Sequence, residues 1–132
     1  KFNIVKGVLE GRTIVVVDDS IVRGTTSKQL VHLLREANPK AIHLRISSPP
    51  IMHPCFYGMD FPSSQELIAY QKNGNIEEIK KYLEVDSLEY LTIDELLEAV
   101  SEAGKENFCT ACFSGKYPTN IDTNFKKEMY EV

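Results

Sequence analysis

Hydrophobic and polar positions in the first third of the chain change period twice. Ile14, Val15, Val16 and Val17 form an unbroken apolar run, which predicts a strand over Thr13–Val17 buried on both faces of a parallel sheet. Leu30, Val31, Leu33, Leu34 and Ala37 then recur at helical spacing, and Thr26, with Gln29 three residues on, predicts the N-cap and a capping box. Asn38-Pro39 closes that helix. From Ala41 to Ile46 the period falls to two, with Ile42, Leu44 and Ile46 on one face and His43 and Arg45 on the other. Strand, helix and strand make a βαβ unit, for which a right-handed crossover is expected. Ahead of it, Phe2–Leu9 alternates only weakly, a marginal strand candidate that ends in a turn at Glu10, Gly11 and Arg12.

Downstream the pattern breaks. Pro49, Pro50, Pro54, Pro62 and Gly58 make residues 47–62 an irregular stretch shaped by fixed φ angles and turns. Three short helices follow, each opened by a residue able to cap it: Ser63 with Glu66, running to about Lys72; Asn75 with Glu78, running to about Leu83; and Thr92 with Glu95, stopped by Gly104 as the residue after the helix. Ser87–Leu91 reads as a short strand between the last two. No periodicity is visible after Lys105. The fold class is α/β, a parallel sheet with flanking helices followed by a mainly helical extension, with the two parts at residues 1–62 and 63–132. Two clear strands are fewer than a sheet covered on both faces needs, so the chain is expected to be part of a larger fold.

Composition narrows the partners. The chain has 132 residues and a net charge of -4, which suits one domain and argues against a general nucleic-acid or anionic-membrane surface, both of which favour basic patches. No apolar run approaches the ~20 residues of a membrane span, and no leader pattern is present. An odd cysteine count, three, fits a reducing compartment, and a cytoplasmic location is expected.

The chemistry concentrates in IVVVDDSIVRGTTSK, Ile14–Lys28. A loop between a parallel strand and its helix turns backbone N–H groups toward the space beyond the strand, and the helix N-terminus adds partial positive charge. Gly24 allows a tight turn and close approach. Thr25, Thr26 and Ser27 add hydroxyls, and Arg23 adds a charged donor, so residues Arg23–Ser27 form a phosphate cradle. Asp18 and Asp19 would repel phosphate; they suit ribose hydroxyls, or a Mg²⁺ shared with the substrate. An isolated Asp-Asp is more often a solvated loop, but a cradle with a diacidic rim implies a phosphorylated sugar.

Cys109-Thr-Ala-Cys112 is a CxxC, and Cys55 lies in the Pro-rich stretch. Alone the CxxC fits a redox pair, half a zinc site or two unrelated thiols. Three thiolates suit a soft metal centre that needs a fourth ligand, zinc or iron–sulfur; His53 stands close enough in sequence to complete a zinc site.

Apolar strand, two acids, four residues and Gly-Thr resemble the phosphoribosyl pyrophosphate (PRPP) motif of the type I phosphoribosyltransferases. The version DDSIVRGTTS resembles that of the glutamine-dependent amidophosphoribosyltransferase family, as do ISSPPIMHPCFYGMDFPS (Ile46–Ser63) and CTACFSGKYPT (Cys109–Thr119). The resemblance implies the C-terminal part of a phosphoribosyltransferase domain. In it Asp18 and Asp19 meet the ribose hydroxyls and Mg²⁺, and Ser20 and Arg23–Ser27 bind the 5-phosphate of PRPP. The implied reaction converts PRPP and glutamine to 5-phosphoribosylamine, glutamate and pyrophosphate, the first step of de novo purine synthesis. It further implies a [4Fe–4S] cluster on Cys55, Cys109 and Cys112, with the fourth ligand upstream of this sequence, and feedback by purine nucleotides on a homo-oligomer. Asp60 belongs to the second block but receives no chemistry from it. The cysteine nucleophile of the N-terminal glutaminase has no counterpart here, since Lys1 opens the sequence. The chain alone is therefore expected to lack glutamine-dependent activity. Two other readings compete: a non-catalytic PRPP-sensing regulatory module and a zinc-bound interaction module.

Overall fold

Strand pairing sets the architecture. The structure, a computed structural model, describes residues 6–59 and 63–121. Three strands, β1 (Thr13–Asp18), β2 (Ala41–Ile46) and β3 (Ser87–Tyr90), lie in that order in one sheet. All pairings are parallel, with Val15 opposite His43, His43 opposite Ser87, Val17 opposite Arg45 and Arg45 opposite Glu89. Helix α2 (Thr25–Arg35) joins β1 to β2, while α3 (Ile68–Gln71) and α4 (Ile76–Leu83) lie between β2 and β3.

The even-numbered residues of β2 show why the sheet forms. Ile42, Leu44 and Ile46 are almost fully buried, and with Leu88 they pack on Val31 of α2, Ile68 and Ala69 of α3, and Ile79 and Leu83 of α4. Ile14 and Val16 of β1 join this core, half-buried. Each large aliphatic side chain removed from water there contributes about 1.5–3 kcal/mol. The odd-numbered positions build a second face. On it His43 Nδ1 meets Ser87 Oγ at 2.7 Å, Arg45 Nη1 donates to Ser87 Oγ at 2.9 Å, and Arg45 Nη2 pairs with Glu89 at 3.3 Å.

That second face corrects one expectation. β1 is not buried on both sides: Val15 is 61% and Val17 72% exposed. It is an edge strand of the described sheet, paired only with β2. A continuous apolar run records where a strand belongs when its neighbours are present, and no neighbour on that side lies among the described residues.

Other elements depart locally from expectation. Within Phe2–Leu9 the described part is a helical turn, α1 (Lys6–Leu9), not a strand. Helix α2 stops at Arg35, and Asn38 takes φ 53°, a left-handed bend ahead of Pro39. The Ser63–Glu66 pair opens no long helix. Ser64–Glu66 is a 3-10 turn, Leu67 is extended, and α3 is a separate short helix. The Asn75 cap is present, accepting from Glu78 N at 3.2 Å. So is the Thr92–Glu95 capping box at the start of α5 (Ile93–Ala99). That helix ends at Ala99, and Gly104 at φ 82° closes a further 3-10 turn, Ser101–Ala103. The tail, without visible periodicity, still forms a 3-10 turn, Lys105–Asn107, and one α-helical turn, α6 (Ala111–Ser114), closed by Gly115 in the left-handed region. Asp60 lies outside the described residues.

Candidate functional site

The loop after β1 begins as a continuation of the strand. Ser47, just past β2, donates its N–H (3.0 Å) and its hydroxyl (3.2 Å) to the carbonyl of Asp18. This fixes the point at which the chain leaves the sheet. Asp18 Oδ1 accepts from the N–H of Asp19 at 3.0 Å, and Asp19 Oδ1 accepts from Ser20 Oγ at 2.9 Å. Among the described residues, each carboxylate is thus bonded through one oxygen. Ile21, which follows, is buried in the core and anchors the loop from beneath.

Gly24 then makes the turn into α2. Its φ of 76° is one that side-chain-bearing residues rarely adopt, and a Cβ there would lie 3.1 Å from both Ile68 Cδ1 and Tyr82 Cε1. Gly24, not Thr26, is the N-cap, and no side chain closes the helix start. The predicted Thr26–Gln29 capping box is therefore absent, because the helix starts two residues before it requires. The change bears on chemistry: without a side-chain cap, the N-terminal N–H groups of α2 are left to solvent or a ligand.

Asp18, Asp19, Ser20, Val22, Arg23, Gly24, Thr25, Thr26 and Ser27 line one cavity of about 280 Å³. Every residue proposed from the sequence for the diacidic rim and the phosphate cradle is therefore brought to a single site. Ser27 is buried there, whereas Thr25 and Thr26 are exposed. The nearby cations are partly neutralised: Arg23 Nε meets Glu66 Oε2 at 2.8 Å, while Lys28 lies 3.3 Å from Glu84 and 4.6 Å from the centre of the Tyr82 ring. With Asp18 and Asp19 added, the formal charge around the loop is negative.

Sequence reasoning missed the wall that braces this loop. Ile68 N–H donates to the carbonyl of Val22 at 2.9 Å, and Ile68 and Tyr82 close on Gly24. These residues stand more than 40 positions from the motif, and no local pattern signals the contact.

The cysteines form a second grouping. The chain around Cys55 and the chain around Cys112 are stitched together: Met52 and His53 N–H groups both donate to the carbonyl of Cys112 at 3.0 Å, and Tyr117 Oη donates to the carbonyl of Pro54 at 2.7 Å. Burial pushes the Cys112 thiol up, and the charges of Cys55 and then Cys109 add to it. All three thiols are free. His53 packs its ring against Gly115, where a Cβ would lie 2.9 Å from Nε2. Among the described residues, no group of three or more His, Cys, Asp or Glu is disposed to hold a metal ion, and no helix is long and apolar enough to cross a membrane.

Comparison with known proteins fits this geometry. No family model matches the chain. An amidophosphoribosyltransferase of Synechococcus elongatus is 50% identical over 127 residues, covering 96% of this chain and 25% of that protein. One of Bacillus subtilis is 48% identical over 124 residues, 92% of this chain and 26% of that protein. A chloroplastic form of Arabidopsis thaliana is 52% identical over 118 residues, 89% of this chain and 20% of that protein. Among solved structures, the B. subtilis glutamine PRPP amidotransferase complexed with ADP and GMP superposes with a TM-score of 0.81 at 47% identity, over 91% of this chain and 27% of that one. The resemblance read from the three sequence blocks therefore holds, and so does the α/β class with its parallel sheet and flanking helices. The chain spans about a quarter of the length of the relatives it matches.

Proposed function

We propose, from this kinship with one segment of the amidophosphoribosyltransferases, that the chain is the PRPP-loop segment of such an enzyme. The complete protein then converts PRPP and glutamine to 5-phosphoribosylamine, glutamate and pyrophosphate. The observation that carries the reading is the convergence of Asp18, Asp19 and Ser20 with Arg23–Ser27 on one cavity at the C-terminal end of a parallel strand, where open α/β sheets hold their ligands.

In this reading the uncapped N-terminus of α2, the Thr25, Thr26 and Ser27 hydroxyls and Arg23 bind the 5-phosphate. Asp18 and Asp19 accept from the ribose hydroxyls. As ammonia displaces pyrophosphate, positive charge develops at the anomeric carbon and ring oxygen, and the two carboxylates stabilise it. With the Asp18 carbonyl held by Ser47 and the carboxylates bonded by the Asp19 N–H and by Ser20 Oγ, they need little reorganisation. Residues 1–62 carry this chemistry, and Ile68 and Tyr82, from the part that spans residues 63–132, supply the wall behind it.

Two inorganic groups fit the residues to different degrees. The carboxylates are hard oxygen donors, each bonded through only one oxygen among the described residues, beside an anionic ligand, and this suits Mg²⁺. It would neutralise the diphosphate and the negative charge of the loop. Cys55, Cys109 and Cys112 are donors of the kind a [4Fe–4S] cluster takes, three of the four it needs, but among the described residues they are not gathered into a metal-holding group; a cluster bound to them would fasten the tail to the 47–59 loop. The ammonia source, a glutaminase domain, purine-nucleotide feedback and a homo-oligomeric state belong to the complete protein. The cytoplasm or another reducing, soluble compartment suits its free thiols.

Asp18→Asn combined with Asp19→Asn in the complete protein tests the reading. Titration calorimetry with PRPP in the presence of Mg²⁺ should show binding reduced by at least about a hundredfold, equivalent to about 2.7 kcal/mol. Unchanged affinity and rate would remove both residues from the site.

A further inference from the structure

Glu66 lies 43 residues from Arg23 and outside the motif that defines the loop. The sequence offers it a local task, as capping partner of Ser63. The structure gives it another. Ser63 makes no side-chain bond to the backbone of its turn and only approaches Glu66 Oε1 at 3.4 Å. Glu66 Oε2 instead accepts from Arg23 Nε at 2.8 Å. We infer that Glu66 is the positioning residue for Arg23: it holds the guanidinium by Nε so that the two Nη groups address an anion bound in the Asp18–Ser27 cavity. The inference rests on reading that loop as a phosphate site.

Three observations support it. Arg23 lines the cavity and Glu66 does not, so the carboxylate works from behind. Among the described residues, the only bond of the Arg23 side chain is the one through Nε. A guanidinium is planar, with donors in a fixed fork, so a partner at Nε sets the plane and leaves the terminal fork open for a bidentate contact with phosphate. Glu66 is also held in register with the loop. Two residues on, Ile68 N–H donates to the carbonyl of Val22, the residue before Arg23. Main chain and side chain thus fasten the same turn to the same two loop residues.

The pair is half exposed, at 54% and 50% for the two side chains, so its effect is modest, about two- to fivefold in affinity. In the complete protein, with Mg²⁺ present, PRPP affinity is compared for wild type, Glu66→Ala, Glu66→Gln, Arg23→Ala and the Arg23→Ala/Glu66→Ala double variant. Glu66→Ala should weaken binding by that factor. Glu66→Gln should restore most of it, since the amide oxygen still accepts from Nε. With Arg23 already removed, Glu66→Ala should change nothing. Binding equal to or tighter than wild type in Glu66→Ala would overturn the positioning role, the tighter case making the contact autoinhibitory. An equal loss in the Arg23→Ala background would also overturn it. Inorganic phosphate, titrated against the same variants, separates the two readings. The Glu66 pattern with phosphate but no binding of PRPP would sink the sugar-phosphate assignment alone. PRPP binding indifferent to Glu66 would sink the positioning role alone, and a protein that binds neither would sink both.

Discussion

Asp86 shows how much one side chain can hold together at a turn. Its Oδ2 accepts from the buried N–H of Ile42 at 2.7 Å and from Arg35 Nη2 at 2.8 Å, while its own N–H donates to the carbonyl of Ile42. The same Arg35 Nη2 donates to the carbonyl of Glu84 at 2.9 Å. The end of α2, the start of β2 and the entry to β3 meet at this carboxylate. The Ile42 N–H, first, and then Arg35 and His43 hold it below its ordinary value of 3.8, against the opposing effect of burial. A depressed carboxylate pKa contributes stability above the unfolded value, and that stability is lost as pH falls through the folded value. Asp86→Asn should therefore flatten the acid limb of the stability curve below about pH 4. The effect stays under about 1 kcal/mol because the side chain is 41% exposed. Urea midpoints measured from pH 3 to 7 check this, and parallel acid limbs for the two proteins would contradict it. At this scale the sequence marks groups whose spacing is local: Asp18, Asp19, Arg23 and Gly24 stand together in one motif and line one cavity. It was silent on Asp86 and Glu66, whose partners are 44 and 43 positions away. A carboxylate carries no mark of a distant partner.

Capping signals had mixed success, and the reason is geometric. Asn75 and Thr92 both bond the N–H three residues on, at 3.2 Å, as their spacing predicts. At α5 the box is reciprocal: Glu95 Oε2 accepts from Thr92 N–H at 2.7 Å and from Thr92 Oγ1 at 2.8 Å. Ser63–Glu66 and Thr26–Gln29 have the same spacing and form no box. In the first case Glu66 is drawn to Arg23; in the second the loop enters the helix early through Gly24. The capping pattern is thus a local preference that tertiary contacts override. Thr92→Ala should cost about 1 kcal/mol, and the loss should be confined to α5. Amide hydrogen exchange reads this directly, with faster exchange over Ile93–Ala99 and unchanged protection in β2. Equal loss of protection across the sheet would show instead that α5 and the core unfold as one unit. The three strands were legible because β2 alternates and β1 is continuously apolar. The exposure of one face of β1 was not, since period alone cannot say what covers it.

At the scale of the molecule, one sheet face is covered by helices and the other carries the His43–Ser87–Arg45–Glu89 network beside two bare valines. Among the described residues the outer edge of β1 is unpaired, and such an edge with apolar side chains above it invites association. The chain by itself should associate with rising concentration, and Val15→Lys with Val17→Lys should keep it monomeric in sedimentation velocity. In the complete protein the same pair should lower the melting temperature, because there the face is expected to be covered. A wild-type chain that stays monomeric at all concentrations would argue that the edge is protected another way.

That edge also fixes where the cavity sits. Asp18 closes β1, so in the proposed complete protein a ligand held at Asp18–Ser27 lies at a seam between what this chain supplies and what is expected to pair beside it. Anything that binds only the joined form stabilises the joint by mass action, about 2.7 kcal/mol at a hundred times its Kd. Reciprocally, each side of the joint raises the other's hold on the ligand. The substrate of such a site is then more than a reactant. In the proposed complete protein it acts as a keystone, and its concentration becomes one of the terms that decide how firmly β1 and its expected neighbour stay together.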